Sequence, residues 1–315
     1  MSFVLAIPSK GRLQEQAAAY FADCGLAFRL EGRGYTARIP ALPEIEVRLI
    51  SASDIARAVR DGDVHAGVTG EDVLREADPA LERTILVKPL GFGRADLVVA
   101  APMSWLDVST LADVAEVAAE HRARTGTRLR VATKYLQLAQ RFLDGRGVTD
   151  YRLVESLGAT EGAPASDVAE AIIDITTTGA TLAANHLKPL ADGLILSSQA
   201  QLAASRAANW DDDARATFSQ FLDIVEARAR ARACRLIRVA PGPAGPEPMI
   251  ERAAALGCKL AAAEGALLEL YSPVENVFAV CAALQELLGG SVGVVETDFV
   301  FERPNSVFDS FVEKL

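Results

Sequence analysis

Short apolar runs punctuate the chain at regular intervals. Residues 3–7, 64–68, 85–90, 95–101, 129–132, 151–154 and 194–198 are each of strand length and bounded by turn residues. Residues 35–40 and 46–50 read as an antiparallel pair joined by a proline-containing turn. Between the runs, apolar residues recur at helical spacing. Leu13, Ala17, Tyr20, Phe21 and Cys24 form one such stripe, which Gly25 ends. Residues 51–60, 136–143, 166–171, 182–190 and 201–209 predict further helices, the first capped by Ser51 or Ser53. A helical region opens at Pro102 and Trp105 and runs to Arg124, and residues 214–232 predict a long amphipathic helix. This alternation predicts an open α/β architecture with helices on both faces of the sheet.

The pattern changes near Cys234. Residues 235–240 predict a strand and Pro241 to Pro246 a loop. A helix at 248–256, strands at 259–263 and 267–271 joined through Glu264 and Gly265, a helix at 273–288 and a last strand at 293–302 follow. The order βαββαβ is the split-βαβ plan of ferredoxin-like domains.

Composition narrows the possibilities. The chain has 315 residues, enough for two or three domains, with 50% hydrophobic and 23% charged residues. A net charge of −10 argues against a nucleic-acid coat or a basic membrane patch, while leaving room for a local basic pocket. The four cysteines, Cys24, Cys234, Cys258 and Cys281, are far apart, so neither a disulfide framework nor a zinc site is expected. No run is long enough to span a membrane, and the first ten residues lack the core of a signal peptide. A soluble cytoplasmic protein is expected, without nucleic-acid or membrane partners.

The chemistry concentrates just after strands, where open α/β sheets bind ligands. Lys10 and Arg12 follow the first strand, and Thr69-Gly70-Glu71-Asp72 follows another. Those two carboxylates either contact a ligand or cap a helix start. Thr133-Lys134-Tyr135 is a third such turn. The richest is residues 172–182, where Asp174 precedes Thr176, Thr177, Thr178, Gly179, Ala180 and Thr181. Its hydroxyls and backbone N–H groups could cradle a phosphate, with a helix dipole behind them. Asp174 could hold ribose hydroxyls or a magnesium ion. Taken singly, the 172–182 turn reads equally as ordinary architecture, and Lys10 and Arg12 read rather as solvated surface cations. Four of them in an acidic chain point to a phosphorylated ligand.

Five segments together resemble the ATP phosphoribosyltransferase family: Pro8-Ser-Lys-Gly-Arg-Leu13, Gly67-Val-Thr-Gly-Glu-Asp72, Val131-Ala-Thr-Lys-Tyr135, Glu155 through Pro164, and Asp174 through Leu182. The resemblance covers roughly residues 1–205. It implies a two-lobed catalytic region similar to type II periplasmic binding proteins, plus a C-terminal α+β ferredoxin-like domain. The expected boundaries are 1–100 with 190–232 for lobe I, 101–189 for lobe II, and 233–315 for a regulatory or assembly domain. The implied reaction joins N1 of the ATP adenine to C1 of phosphoribosyl pyrophosphate and releases pyrophosphate, the first step of histidine biosynthesis, with Mg²⁺ as chelator. Thr177, Thr178, Gly179, Ala180 and Thr181 would wrap the 5-phosphate, and Asp174 and Glu161 would hold the ribose. Lys10 and Arg12 would lie near the pyrophosphate or the ATP phosphates, and Thr69 and Gly70 would line the substrate site. Asp174, Glu161 and Lys10 are the expected catalytic residues; no metal ligand is assigned.

Two departures accompany the resemblance. Ala180 stands where many members carry a basic or larger residue, and His65 stands where an aspartate is common. His65 reads as a packing or surface change, and His121 as exposed and inert. Long members of the family carry the C-terminal domain, bind histidine there and are hexameric; short ones use a regulatory subunit resembling a histidyl-tRNA synthetase. The βαββαβ segment implies the long form, a homo-oligomer and histidine inhibition, against an extension used only for assembly. Two other readings compete: a non-enzymatic two-lobed small-molecule-binding protein, and a phosphoribosyltransferase acting on a free base. The latter usually has two acidic residues before its Thr-Gly turn, whereas Ile173-Asp174-Ile175 has one.

Overall fold

The computed structural model describes residues 3–30, 35–241, 245–264, 267–288 and 290–315. Residues 242–244 of the expected proline-rich loop and Gly265 of the expected hairpin lie outside the described residues.

Among the described residues, a seven-stranded sheet runs in the order Arg29–Leu30, Thr36–Ile39, Leu42–Ile50, Phe3–Pro8, Ala66–Gly70, Ala200–Ser205, Thr84–Pro89. A five-stranded sheet runs Leu187–Ser198, Ala95–Pro102, Ala171–Thr176, Leu129–Thr133, Tyr151–Glu155. Each sheet has a parallel centre. Phe3–Pro8 lies parallel to Leu42–Ile50 and Ala66–Gly70, and Leu129–Thr133 lies parallel to Ala171–Thr176 and Tyr151–Glu155. Parallel strands need crossover helices, which explains the near-continuous apolar runs. Ile55, Ala56 and Val59 of the helix Ala52–Asp61 pack on Val4 and Ala6. Val114 and Ala139 of the helices Leu111–Thr125 and Leu136–Gly145 pack on Val99, Val131 and Ile173. Each fully buried Val, Leu or Ile contributes about 1.5–3 kcal/mol.

The chain passes between the sheets twice. It leaves the first sheet after Thr84–Pro89, enters the second at Ala95 and returns between Ser198 and Ala200. The two passages are hydrogen-bonded, Leu90 N–H to the Ala200 carbonyl and Ala200 N–H to the Phe92 carbonyl, both at 2.9 Å. This is the expected two-lobed plan, but the lobe limits at 100/101 and 189/190 move. Ala95–Pro102 belongs to the second sheet because Val99 pairs with Ile173 and Ala95 with Ser198.

Three expected helices are not helices. Residues 182–190 give only the end of a five-residue helix, Ala180–Ala184, and then the strand Leu187–Ser198. Pro189 and Gly193 suit that irregular strand, whose register shifts between Pro189 and Leu194. Residues 201–209 give the strand Ala200–Ser205, buried at every position between two neighbours. Its alanines favour helix locally, and sheet pairing overrides them. Residues 166–171 are turns leading into Ala171–Thr176. The helix expected from Pro102 starts later, at Leu111, after a capping box between Thr110 and Asp113.

A second compact unit comprises Phe21–Leu26 and Ala216–Ser310. Its sheet runs Lys259–Glu264, Leu267–Pro273, Cys234–Val239, Val292–Val295, with every pairing antiparallel. That order is the ferredoxin-like one expected from βαββαβ. Ile237, Leu268, Leu270, Val280 and Leu284 form its core. The boundary expected at 233 falls earlier, because the helix Asp212–Ala233 carries residues that pack within this unit. Phe221 meets Phe21, with ring centroids 5.6 Å apart, and Arg228 donates twice to the Asp23 carboxylate at 2.9 Å. The last strand is shorter than expected, and the helix Ser306–Lys314 has no counterpart in the sequence reading. Among the described residues no helix is long and apolar enough to cross a membrane.

Candidate active site

The carboxyl ends of the parallel strands carry the turns singled out by sequence. In the first lobe Pro8 pairs with Ile50, and Ser9 N–H donates to the Ile50 carbonyl at 2.9 Å. This sets Ser9, Lys10 and the start of the helix Gly11–Asp23 beside Ser51, which caps the helix Ala52–Asp61 by accepting from Asp54 N–H. Lys10 and Arg12 are exposed there and have no ion-pair partner among the described residues. In the second lobe Thr133 pairs with Glu155 and Ala132 with Ile172, which brings Lys134 and Asp174 to the same end of the sheet.

Asp174 is half-buried opposite Val98, and its Oδ1 accepts from Ile175 N–H at 2.8 Å. Burial raises its pKa above the ordinary aspartate value. The Ile175 hydrogen bond and the Lys134 charge oppose that rise, and the Glu161 charge adds to it. Asp174, Glu161 and Lys134 therefore share one electrostatic environment, although they lie 13 and 40 positions apart in sequence. Glu161 sits half-buried in the 3₁₀ turn Thr160–Gly162.

The hydroxyl loop follows Asp174 directly. Thr177, Thr178, Ala180 and Thr181 are exposed. Thr176 Oγ1 accepts from Gly179 N–H at 2.9 Å, and Thr178 Oγ1 accepts from Ala180 N–H at 3.4 Å. Gly179 has φ +76°, a left-handed conformation that lets the loop turn, with open space where a Cβ would stand. The helix behind the loop is one short turn, so the dipole anticipated from 182–190 is weak, and the cradle consists of hydroxyls and loop N–H groups. Thr177 also donates to the Arg94 carbonyl at 3.4 Å. Thr176, Thr177, Arg94, Ser197 and Gln199 line a cavity of about 390 Å³ at the passage between the lobes.

The Thr69 side chain is turned into the protein. It is fully buried, and its hydroxyl donates to the Ala52 carbonyl at 3.0 Å, tying strand end to helix start. Gly70 serves a close approach: a Cβ there would stand 2.2 Å from Asp72 Oδ1. The carboxylates after it are occupied internally. Glu71 pairs with Arg75 at 2.7 Å and accepts from Gln201 Nε2 at 2.9 Å. Asp72 is buried, taking the Tyr135 hydroxyl at 2.5 Å and the Ser198 hydroxyl at 2.8 Å.

The sequence reading named the Thr133-Lys134-Tyr135 turn but gave Tyr135 no partner, and it did not single out Arg57, Arg60 or Glu76. Tyr135 is 1% exposed, and its hydroxyl pKa is pushed up by burial and by Asp72, with Asp174 and Glu76 adding to it. Lys134 Nζ stands 4.7 Å from the centre of the Tyr135 ring. Arg57, Arg60, Lys134, Glu76, Glu155 and Leu157 line a cavity of about 440 Å³ spanning the two lobes. The available signal was the i, i+4 spacing of Asp72 and Glu76 on a helix that starts at a motif turn.

Comparison with known proteins supplies the family. A family model described as HisG: ATP phosphoribosyltransferase matches residues 51–227. The chain is 50% identical over 316 aligned positions to the ATP phosphoribosyltransferase of Caulobacter vibrioides, covering 99% of this chain and 97% of that one. It is 46% identical to that of Bradyrhizobium diazoefficiens, covering 97% and 96%.

The chain belongs to the ATP phosphoribosyltransferase family.

It is thus a pentosyltransferase acting at the first step of histidine biosynthesis. The ATP phosphoribosyl transferase (HisG:HisZ) complex of Thermotoga maritima shares its fold. The TM-score is 0.55 at 24% identity, covering 71% of this chain and 96% of that one. Of the two departures from the family pattern, Ala180 leaves only backbone groups at its place in the loop. His65 is a packing residue, as the sequence implied. It is buried, Nδ1 accepts from Val4 N–H at 3.1 Å, Nε2 lies 3.0 Å from the Asn209 carbonyl, and the ring packs edge-on to Trp210.

Proposed function

We propose that in this ATP phosphoribosyltransferase Asp174 and Glu161 hold the ribose hydroxyls of phosphoribosyl pyrophosphate, while Thr177, Thr178, Gly179, Ala180 and Thr181 surround its 5-phosphate. The observation that carries this reading is the half-buried Asp174, under the charges of Lys134 and Glu161 and immediately before the exposed hydroxyl loop. The reaction forms the bond from adenine N1 to C1 and breaks the bond from C1 to the pyrophosphate oxygen. C1 becomes electron-poor in between, and carboxylates nearby favour that charge. Lys10, Arg12 and Lys134 face the negative charge that leaves with pyrophosphate. Orientation of the two substrates supplies much of the remaining acceleration. No Ser-His-Asp or Cys-His set is needed.

The carboxylate oxygens of Asp174 and Glu161 fit Mg²⁺, which is held through one or two carboxylates plus substrate phosphates. When bound, Mg²⁺ neutralises pyrophosphate charge. We assign histidine as effector and a homo-oligomeric assembly to the C-terminal unit, in place of a separate regulatory subunit. Within that unit Arg230, Lys259, Tyr271, Glu275 and Glu302 line a cavity of about 590 Å³, offering both signs of charge to a zwitterion.

The test is an assay with ATP, phosphoribosyl pyrophosphate and Mg²⁺ that follows the adduct by absorbance. Glu161→Ala is expected to lower turnover at least tenfold with little change in melting temperature. Equal losses of activity and melting temperature would assign it a structural role. Added histidine is expected to lower the rate; an unchanged rate removes the effector from the reading.

A further inference from the structure

The helix Glu71–Ala77 sends two carboxylates from one face into the other lobe. Asp72 and Glu76 are one turn apart. Asp72 Oδ2 accepts from the Tyr135 hydroxyl at 2.5 Å. Glu76 accepts from Gln137 N–H at 2.9 Å and Leu138 N–H at 3.0 Å, the first free donors of the helix Leu136–Gly145. Three residues of the second lobe within 135–138, Tyr135, Gln137 and Leu138, are therefore gripped by one helical turn of the first. A third tie lies at the passage between the lobes, where Ser198 Oγ donates to Asp72 Oδ1 at 2.8 Å and accepts from Asp72 N–H at 3.1 Å.

The grip is built. Asp72 is 8% exposed, Ser198 5% and Tyr135 1%. A buried carboxylate or phenol without a partner is costly, so each depends on the others. Gly70 clears the space that Asp72 occupies. Lys134 immediately precedes the gripped segment; its ammonium lies over the Tyr135 ring and its charge acts on Asp174.

We propose that Asp72, Glu76 and Tyr135 are positioning residues for phosphoribosyl transfer: together they clamp residues 135–138 to the first lobe and so hold Lys134 at Asp174. This rests on the assignment of Asp174 to the ribose. The clamp sets how much of the protein has both lobes arranged to receive substrate. Loosening it lowers that fraction and raises the apparent dissociation constants in proportion, while chemistry in the assembled site continues.

The experiment compares full-length Tyr135→Phe, Asp72→Ala, their double variant and Asp174→Ala in the Mg²⁺ assay, well below each melting midpoint. Tyr135→Phe is expected to raise KM for phosphoribosyl pyrophosphate about tenfold and leave kcat within about threefold. The double variant is expected to be no worse than Asp72→Ala, because Asp72→Ala already removes the Tyr135 contact. A wild-type KM in folded Tyr135→Phe, or additive losses in the double variant, would overturn the clamp. Should Asp72→Ala fail to fold, Asp72→Asn keeps an acceptor for Tyr135 and is expected to hold KM within about threefold of wild type; a tenfold rise there overturns the proposal. Asp174→Ala separates the two claims, since full turnover in that variant removes the ribose assignment and leaves the Tyr135→Phe result to decide the clamp.

Discussion

Two strand-to-helix turns in this protein look alike in sequence and behave as opposites. The turn after Ala171–Thr176 is rich in hydroxyls, exposed and held by local hydrogen bonds. The turn after Ala66–Gly70 is rich in carboxylates, partly buried and committed to partners far along the chain. The first has free polar groups to offer a ligand. The second has spent them on the protein. A polar turn at the carboxyl end of a strand thus marks a place where polar groups gather, and burial separates the groups left open to solvent from those committed to the protein.

Substitutions at the two turns should part accordingly. The largest effect is expected from Asp174→Ala, with turnover falling at least about 10³-fold while the melting temperature shifts by only a few degrees. Steady-state kinetics beside a thermal melt would show it, and retained turnover would erase the contrast from the ligand side. Gly70→Ala should act in the reverse sense. Its Cβ would meet the locked Asp72 Oδ1, costing about 2–3 kcal/mol in denaturant unfolding. Gly179→Ala meets no atom, and its cost of about 1–2 kcal/mol comes from φ +76°. If Gly70→Ala proves the milder of the two, the buried turn is less rigid than its contacts imply.

The smallest effect concerns pH. Burial raises the Glu76 pKa above its usual 4.5, against three backbone hydrogen bonds that lower it. The native state therefore holds this proton more tightly than the unfolded chain does. That contribution is fully present below pH 4.5 and is lost as pH rises through the folded value. Glu76→Gln should gain stability on wild type, by less than about 1 kcal/mol, between about pH 4 and pH 7. Parallel melts across that range would measure it, and a gain in the opposite direction would show that the hydrogen bonds from residues 136–138 outweigh burial.

Strand positions and turn chemistry were legible because buried parallel strands carry continuous apolar runs and because Lys10, Arg12 and the threonine loop fall where those runs stop. The alanine-rich strand Ala200–Ser205 was not, since its identity comes from two neighbouring strands rather than from its own propensity. The same holds within the site. Asp174 and its loop are contiguous and could be read together. Asp72 and Tyr135 are 63 residues apart and Glu76 and Gln137 61, and only the folded chain pairs them. Thr69 differs for a related reason: a hydroxyl in a motif turn reads as a ligand group, whereas its burial and its bond to the Ala52 carbonyl are visible only in the fold.

The paired passages between the two sheets have a further consequence. Ala95 lies directly opposite Ser198, so the whole second lobe enters and leaves through neighbouring residues of two adjacent strands. Topologically it is an insertion threaded into one connection of a smaller protein. A piece with closely spaced ends is the kind that tolerates circular permutation or separate expression. The catalytic region can accordingly be regarded as a host and a guest, stitched along a seam a few residues wide.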